Sequence, residues 1–173
     1  MTDYIVILDA DFLSAFLKIE RLHLIRVFYQ VQSVYVPPAV YREVAVTDLL
    51  PRLTVLEWVR VRVPARSQLD ALNELDAYRH LGSGEREAIA LARECSPSVL
   101  LVNDNQARRV AARLGIQVVN IPAFLLACKK SALVSQNELL AIIADLQTRD
   151  FYSFRSDVLD LLITPSQNER ERK

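Results

Sequence analysis

Two short apolar runs that each end on an acid constrain this chain more than any other feature. Tyr4-Ile5-Val6-Ile7-Leu8 stops at Asp9, and Val99-Leu100-Leu101-Val102 stops at Asn103-Asp104. An unbroken run this short, rich in β-branched residues in the first case, has no polar face to turn to water and reads as a strand buried on both sides. Such strands need covering layers, and the segments between them supply helices.

Phe12, Leu13, Phe16 and Leu17 recur at helical spacing after Asp9, and Leu22 to Tyr29 reads as a second helix. Val34-Tyr35-Val36 is a brief strand closed by Pro37-Pro38, with Pro38 suited to the first turn of a helix through Glu43 and Val44. Residues 46–66 carry no clear period until Trp58 to Val63, which alternates like a half-exposed strand. Ser67 stands where it can cap a helix running to about His80, Gly82-Ser83-Gly84 breaks the chain, and Glu85 to Arg93 is helical again. Asp104 opens a helix that Gly115 ends, and Gln117-Val118-Val119 is the last strand. Helices follow after Pro122 to Lys130, after the capping box Ser135-Gln136-Asn137-Glu138, and over about Arg155 to Ile163. The pattern is an α/β domain with a short, mostly parallel sheet of four or five strands covered on both faces. One domain over residues 1–164 is expected, with 165–173 a polar, frayed tail.

Composition narrows the function. The 173 residues are 51% hydrophobic, and 21 basic side chains balance 21 acidic ones, which excludes a strongly basic nucleic-acid coat and an acidic disordered tail. Cys95 and Cys128 stand far apart, too few for a disulfide scaffold or a zinc knuckle. No apolar stretch approaches the ~18 residues that span a bilayer, and Met1-Thr2-Asp3 leading straight into a strand-like run gives the expectation of no signal peptide. The expected setting is a soluble, reducing, cytoplasmic one.

In open parallel sheets ligands bind outside the carboxyl ends of the strands. Asp9 and Asp104 stand there, and Glu43 and Glu85 lie on helices near turns. If these four converge, they form a site of hard oxygen donors without histidine or cysteine, suited to Mg²⁺ or Mn²⁺. Clustered anions raise one another's pKa and are stable mainly when a dication neutralises them. A metal held in this way can polarise a phosphoryl group and activate water for in-line displacement, so phosphodiester hydrolysis is the implied reaction. Each acid also has a plain structural role: Asp9 and Asp104 as N-caps, Glu85 as a first-turn dipole partner, Glu43 as a solvated residue.

The motifs together resemble a known family. Leu8-Asp9-Ala10-Asp11, Pro37-Pro38-Ala39-Val40-Tyr41-Arg42-Glu43-Val44, Gly84-Glu85-Arg86-Glu87-Ala88-Ile89-Ala90-Leu91-Ala92, and Leu101-Val102-Asn103-Asp104 followed by Ala107 to Ala111 and Leu114-Gly115-Ile116 look like successive motifs of PIN domains. The likeness runs from about residue 3 to residue 163 and is nearest to PIN-like proteins grouped with the toxins of type II toxin–antitoxin pairs. It implies a three-layer α/β/α fold and a Mg²⁺- or Mn²⁺-dependent endoribonuclease acting on single-stranded RNA. Asp9, Glu43, Glu85 and Asp104 would be its catalytic and metal-holding set, with a small antitoxin and a second copy of the chain as partners. Glu87 competes with Glu85 for the third place, and the two point about 200° apart on an ideal helix. Asp11 stands where many members carry asparagine or serine, and Val102-Asn103 replaces hydroxyl-bearing or acidic residues thought to orient water or metal.

A neutral chain with an acidic centre needs positive charge to hold a polyanion. Arg108, Arg109 and Arg113 follow Asp104 on one helix, and Lys129 and Lys130 end the next, either as phosphate contacts or as solvated charges. Phe12, Tyr29, Tyr35 and Tyr41 can stack on bases, though packing is the commoner role at such spacings. His23 and His80 have no catalytic partner in spacing, and Gly82-Ser83-Gly84 lacks the lysine and strand of a phosphate loop. The alternative to a nuclease is a non-catalytic interaction module on the same fold, which the Val102-Asn103 departure favours. A phosphoacceptor domain ranks last, because no suitably placed lysine and threonine accompany the aspartates.

Overall fold

The computed structural model describes residues 4–164; the expected frayed tail lies outside the described residues. Two compact units emerge, one ending at Asn120 and the other beginning at Ile121. In the first, β1 (Ile5–Leu8), β2 (Val34–Val36), β3 (Val59–Val61), β4 (Ser98–Leu101) and β5 (Gln117–Val119) form one sheet in the order β3-β2-β1-β4-β5. Every pairing is parallel.

The two apolar runs that end on acids are the central neighbours, β1 beside β4, with Val6 opposite Val99 and Leu8 opposite Leu101. Their buried side chains follow from that place. A row across one face, Tyr35, Ile7, Leu100 and Val118, packs with Leu72, Tyr78, Ile89, Leu91 and Val110. Val6, Leu8, Val99 and Leu101 point the other way by the period of two and are equally buried.

The connections explain the two covering layers. From β1 the chain steps outward to β2 and β3 through α1 (Ala10–Lys18), α2 (His23–Tyr29), α3 (Pro38–Ala45) and α4 (Leu50–Thr54). It then returns past β1 to β4 through α5 (Arg66–Asn73), α6 (Asp76–Arg79) and α7 (Ser83–Glu94), and reaches β5 through α8 (Asn105–Arg113). Crossovers running in opposite directions cover both faces of the sheet, and α3 and α7, one from each direction, pack against one another. The reversal falls between β1 and β4, so the crevice between their carboxyl ends is the topological switch point.

Two expectations are corrected. The helix foreseen from Ser67 to His80 is two helices, and Ser67 is not its cap: α5 starts at Arg66 behind Ala65. Leu72 and Tyr78 are both fully buried, yet residues six apart on one continuous helix point about 120° away from each other. Extended backbone at Leu75 breaks the helix and turns both side chains into the same core. Within residues 46–66, which carry no clear period, a short α4 forms without a side-chain cap and buries Leu53 alone, too few apolar positions to show a period. Gly115 ends α8 as expected, at φ +76°, with its N–H on Ala112 O and the Ile116 N–H on Ala111 O.

The second unit holds α9 (Ile121–Lys130), α10 (Gln136–Arg149) and α11 (Ser156–Ile163). The capping box forms: Ser135 N–H donates to Glu138 Oε2 at 2.8 Å and Glu138 N–H to Ser135 Oγ at 3.2 Å. Lys129 Nζ donates to the carbonyls of Leu161, Leu162 and Thr164, so this lysine closes the end of α11. Among the described residues, no helix is long and apolar enough to cross a membrane.

Candidate active site

Asp9 follows β1 into the switch-point crevice and caps α1, its Oδ1 accepting from Phe12 N–H at 2.8 Å. Its Oδ2 accepts from Asn103 N–H at 3.3 Å, just beyond the end of β4. Only 3% of the residue is exposed. Burial pushes its pKa up to about 7, against the two N–H donors, with the charges of Asp11 and Glu85 adding to the rise. Charge in that position is costly unless a cation shares it.

Asp104 follows β4 and caps α8, one oxygen taking both Gln106 N–H at 2.7 Å and Ala107 N–H at 2.8 Å. Glu85 stands in the first turn of α7, where its Oε2 accepts from Gly82 N–H at 2.9 Å. Burial raises its pKa first; the Gly82 bond opposes this, and Asp104, Asp11 and Glu43 add repulsion. Glu43 arrives from α3. Its carboxylate lies on Gly84, where a Cβ would stand 2.6 Å from Oε1, so the missing side chain makes its seat.

The structure therefore brings Asp9, Glu43, Glu85 and Asp104 into one electrostatic field, with Asp11 as a fifth, exposed member. Among the described residues, no three histidines, cysteines or acids are grouped tightly enough to form a ready-made metal cage. Glu87 faces elsewhere: its Oε2 accepts from Ala39 N–H at 2.8 Å, and its Oε1 lies 3.8 Å from Arg42. Sequence spacing held no sign of that bond, which joins residues 48 positions apart.

A family model described as DUF3368, a PIN domain, matches residues 5–164. The chain belongs to the PIN-domain family. No curated protein matches it. Membership points to a nuclease-type function, and PIN domains typically use divalent metals. The donor set of this PIN domain fits such an ion. It is all carboxylate, the choice of a hard cation, and Asp104 and Glu85 each keep one oxygen free of hydrogen bonds among the described residues. Mg²⁺ commonly binds through one or two carboxylates and several waters, so a closed protein cage is not required.

The three arginines differ. Arg109 and Arg113 are exposed on α8, whereas Arg108 turns back to Asn105 Oδ1 and buries its Nε. Phe12 is fully buried and stacks on Phe16 with centroids 5.0 Å apart, which removes it from base stacking. Cys95 and Cys128 are buried free thiols, and His80 lies 3.6 Å from Asp76 on the surface.

Proposed function

We propose that this PIN domain is a metal-dependent endoribonuclease that hydrolyses single-stranded RNA, the toxin of a toxin–antitoxin pair. One observation carries the reading: Asp9, buried at the β1/β4 switch point, lies within the field of Glu85 and is pushed up to about 7. A fold that sinks a carboxylate among other carboxylates leaves a position that a hard dication stabilises.

Asp9, Glu43, Glu85 and Asp104 would hold Mg²⁺ or Mn²⁺. When bound, such an ion supplies Lewis acidity toward a phosphoryl oxygen and lowers the pKa of water. The chain's own part is placement. The N–H groups of Phe12 and Asn103 fix Asp9, those of Gln106 and Ala107 fix Asp104, and Gly82 N–H aims Glu85. Arg109 and Arg113 offer exposed charge for the RNA backbone. A second copy or a small antitoxin would meet the helices over about residues 11–30 and 38–45.

The second reading, a PIN-type interaction module without catalysis, draws on acids that, among the described residues, form no three-ligand cage and on Val102, which is buried and offers no hydroxyl. A fluorogenic single-stranded RNA assay with Mn²⁺, run beside Asp104→Asn, decides. Cleavage by the natural chain that the variant lacks supports the nuclease; equal background from both favours the module. A neighbouring reading frame encoding a small DNA-binding or helical protein supports the toxin assignment.

A further inference from the structure

Glu87 lies two residues beyond Glu85 on α7, outside the acidic field, and makes one strong bond across to α3. Pro37 and Pro38 have no N–H, so the first donor of α3 is Ala39, and no side chain of its own segment caps it. Glu87 Oε2 takes that donor at 2.8 Å, a charge-assisted bond at the positive end of the helix. One turn back on α7, Gly84 receives Val40 and Glu43 of α3, its virtual Cβ lying 3.3 Å from Val40 Cγ2 and 2.6 Å from Glu43 Oε1. Gly84 and Glu87 share a face at i, i+3, as do Val40 and Glu43. The early end of α3 meets the later turn of α7 and the late end meets the earlier turn, so two contacts set the register of the pair. Slippage by a helical turn moves a side chain about 5.4 Å, enough to lift Glu43 off its seat on Gly84.

We infer that Glu87 is a positioning residue, which holds Glu43 beside Glu85 by capping α3 from α7. The inference rests on the reading of Glu43 and Glu85 as metal ligands. Groups that hydrogen-bond a metal's ligands typically change its affinity roughly 10- to 100-fold when removed; Glu87 acts one step further back, through α3, so the lower end applies.

The test compares the full chain with Glu87→Ala and Glu87→Gln, since glutamine keeps an acceptor for Ala39 N–H and drops the charge. Mn²⁺ affinity is read by electron paramagnetic resonance of the free ion, Ala39 by amide hydrogen exchange, and RNA cleavage as kcat and KM separately. Glu87→Ala is expected to speed exchange at Ala39, weaken Mn²⁺ by roughly 10-fold, and lower kcat with KM unchanged; Glu87→Gln restores all three. Should Glu87→Ala fail to fold, Glu87→Asp, one methylene short of Ala39, gives the same losses. Faster exchange at Ala39 with unchanged Mn²⁺ affinity overturns the inference, since the cap is then structural alone. A glutamine variant as weak as alanine overturns it too, since the charge set against Arg42 at 3.8 Å, not the cap on Ala39, then does the positioning. Natural protein that binds no Mn²⁺ overturns both this inference and the ligand reading. Protein that binds Mn²⁺ but cuts no RNA sinks only the ribonuclease, and the affinity comparison still decides for or against Glu87.

Discussion

The carboxylate of Glu43 rests where residue 84 has no side chain: a Cβ on Gly84 would lie 2.6 Å from Oε1 and 3.2 Å from Cδ. Glu43 is otherwise exposed at the end of a flexible side chain, so an added methyl group displaces the carboxylate more readily than the helix. Gly84→Ala also replaces a glycine in the first turn of α7 with a better helix former, worth less than the ~1 kcal/mol of a helix interior. The variant is expected to melt within a few degrees of the natural chain, yet to cleave RNA roughly 10-fold or more slowly. Thermal melts beside the fluorogenic assay check this; undiminished cleavage removes Glu43 from the site.

Asp9 ties stability to pH. Its folded pKa of about 7 stands above the ordinary 3.8, so between those values the folded chain binds a proton that the unfolded chain has released. Stability without metal therefore falls as pH rises from about 4 to about 7 and levels off above. Asp9→Asn keeps an acceptor for Phe12 N–H and abolishes the titration. It also sets an NH2 where Oδ2 accepts from Asn103 N–H, a cost that does not change with pH, so its stability relative to the natural chain is expected to rise between about pH 4 and pH 8 by as much as a few kcal/mol. Parallel urea midpoints across the range exclude Asp9 as the source of the dependence.

How much of this was legible in the chain follows from how local each signal is. Asp9 and Asp104 were readable because a strand's last residue and a helix's cap are written in adjacent positions. The Gly115 terminus was readable for the same reason. The break at Leu75 was not, because the burial of both Leu72 and Tyr78 depends on the sheet they pack over. Glu43 looks like any solvated acid until α7 is laid beside α3, and Glu87 passes for a rival ligand until Ala39 N–H is found 2.8 Å away. Positions that act across elements 40 to 90 residues apart leave no period to read. The PIN motifs compensated in part, by placing four acids in order before any contact between them was visible.

Asp104 separates capping from metal holding. Asparagine is about as good an N-cap as aspartate, so Asp104→Asn can still accept from Gln106 and Ala107 N–H through its side-chain oxygen. Without metal the variant is expected to melt within about 0.5 kcal/mol of the natural chain. Added Mn²⁺ raises the melting temperature of whichever protein binds it, as RT ln(1 + [L]/Kd). At pH 8 the natural chain is expected to gain several degrees in millimolar Mn²⁺ and the variant little. Equal gains assign the ion to a place without Asp104.

Arg109 and Arg113 are exposed one helical turn apart on α8, while Arg108 bonds to Asn105. If the exposed pair meets RNA phosphates, each contact releases condensed counterions from the strand, and affinity falls with salt in proportion to their number, with a slope of about −0.7 per contact for single strands. Alanine at Arg109 or Arg113 is expected to weaken binding of an uncleavable RNA and to flatten the log–log salt slope by roughly that amount each. Alanine at Arg108 is expected to change the slope less. Fluorescence anisotropy at three or more salt concentrations measures it, and a slope indifferent to Arg109 and Arg113 moves the RNA path away from α8.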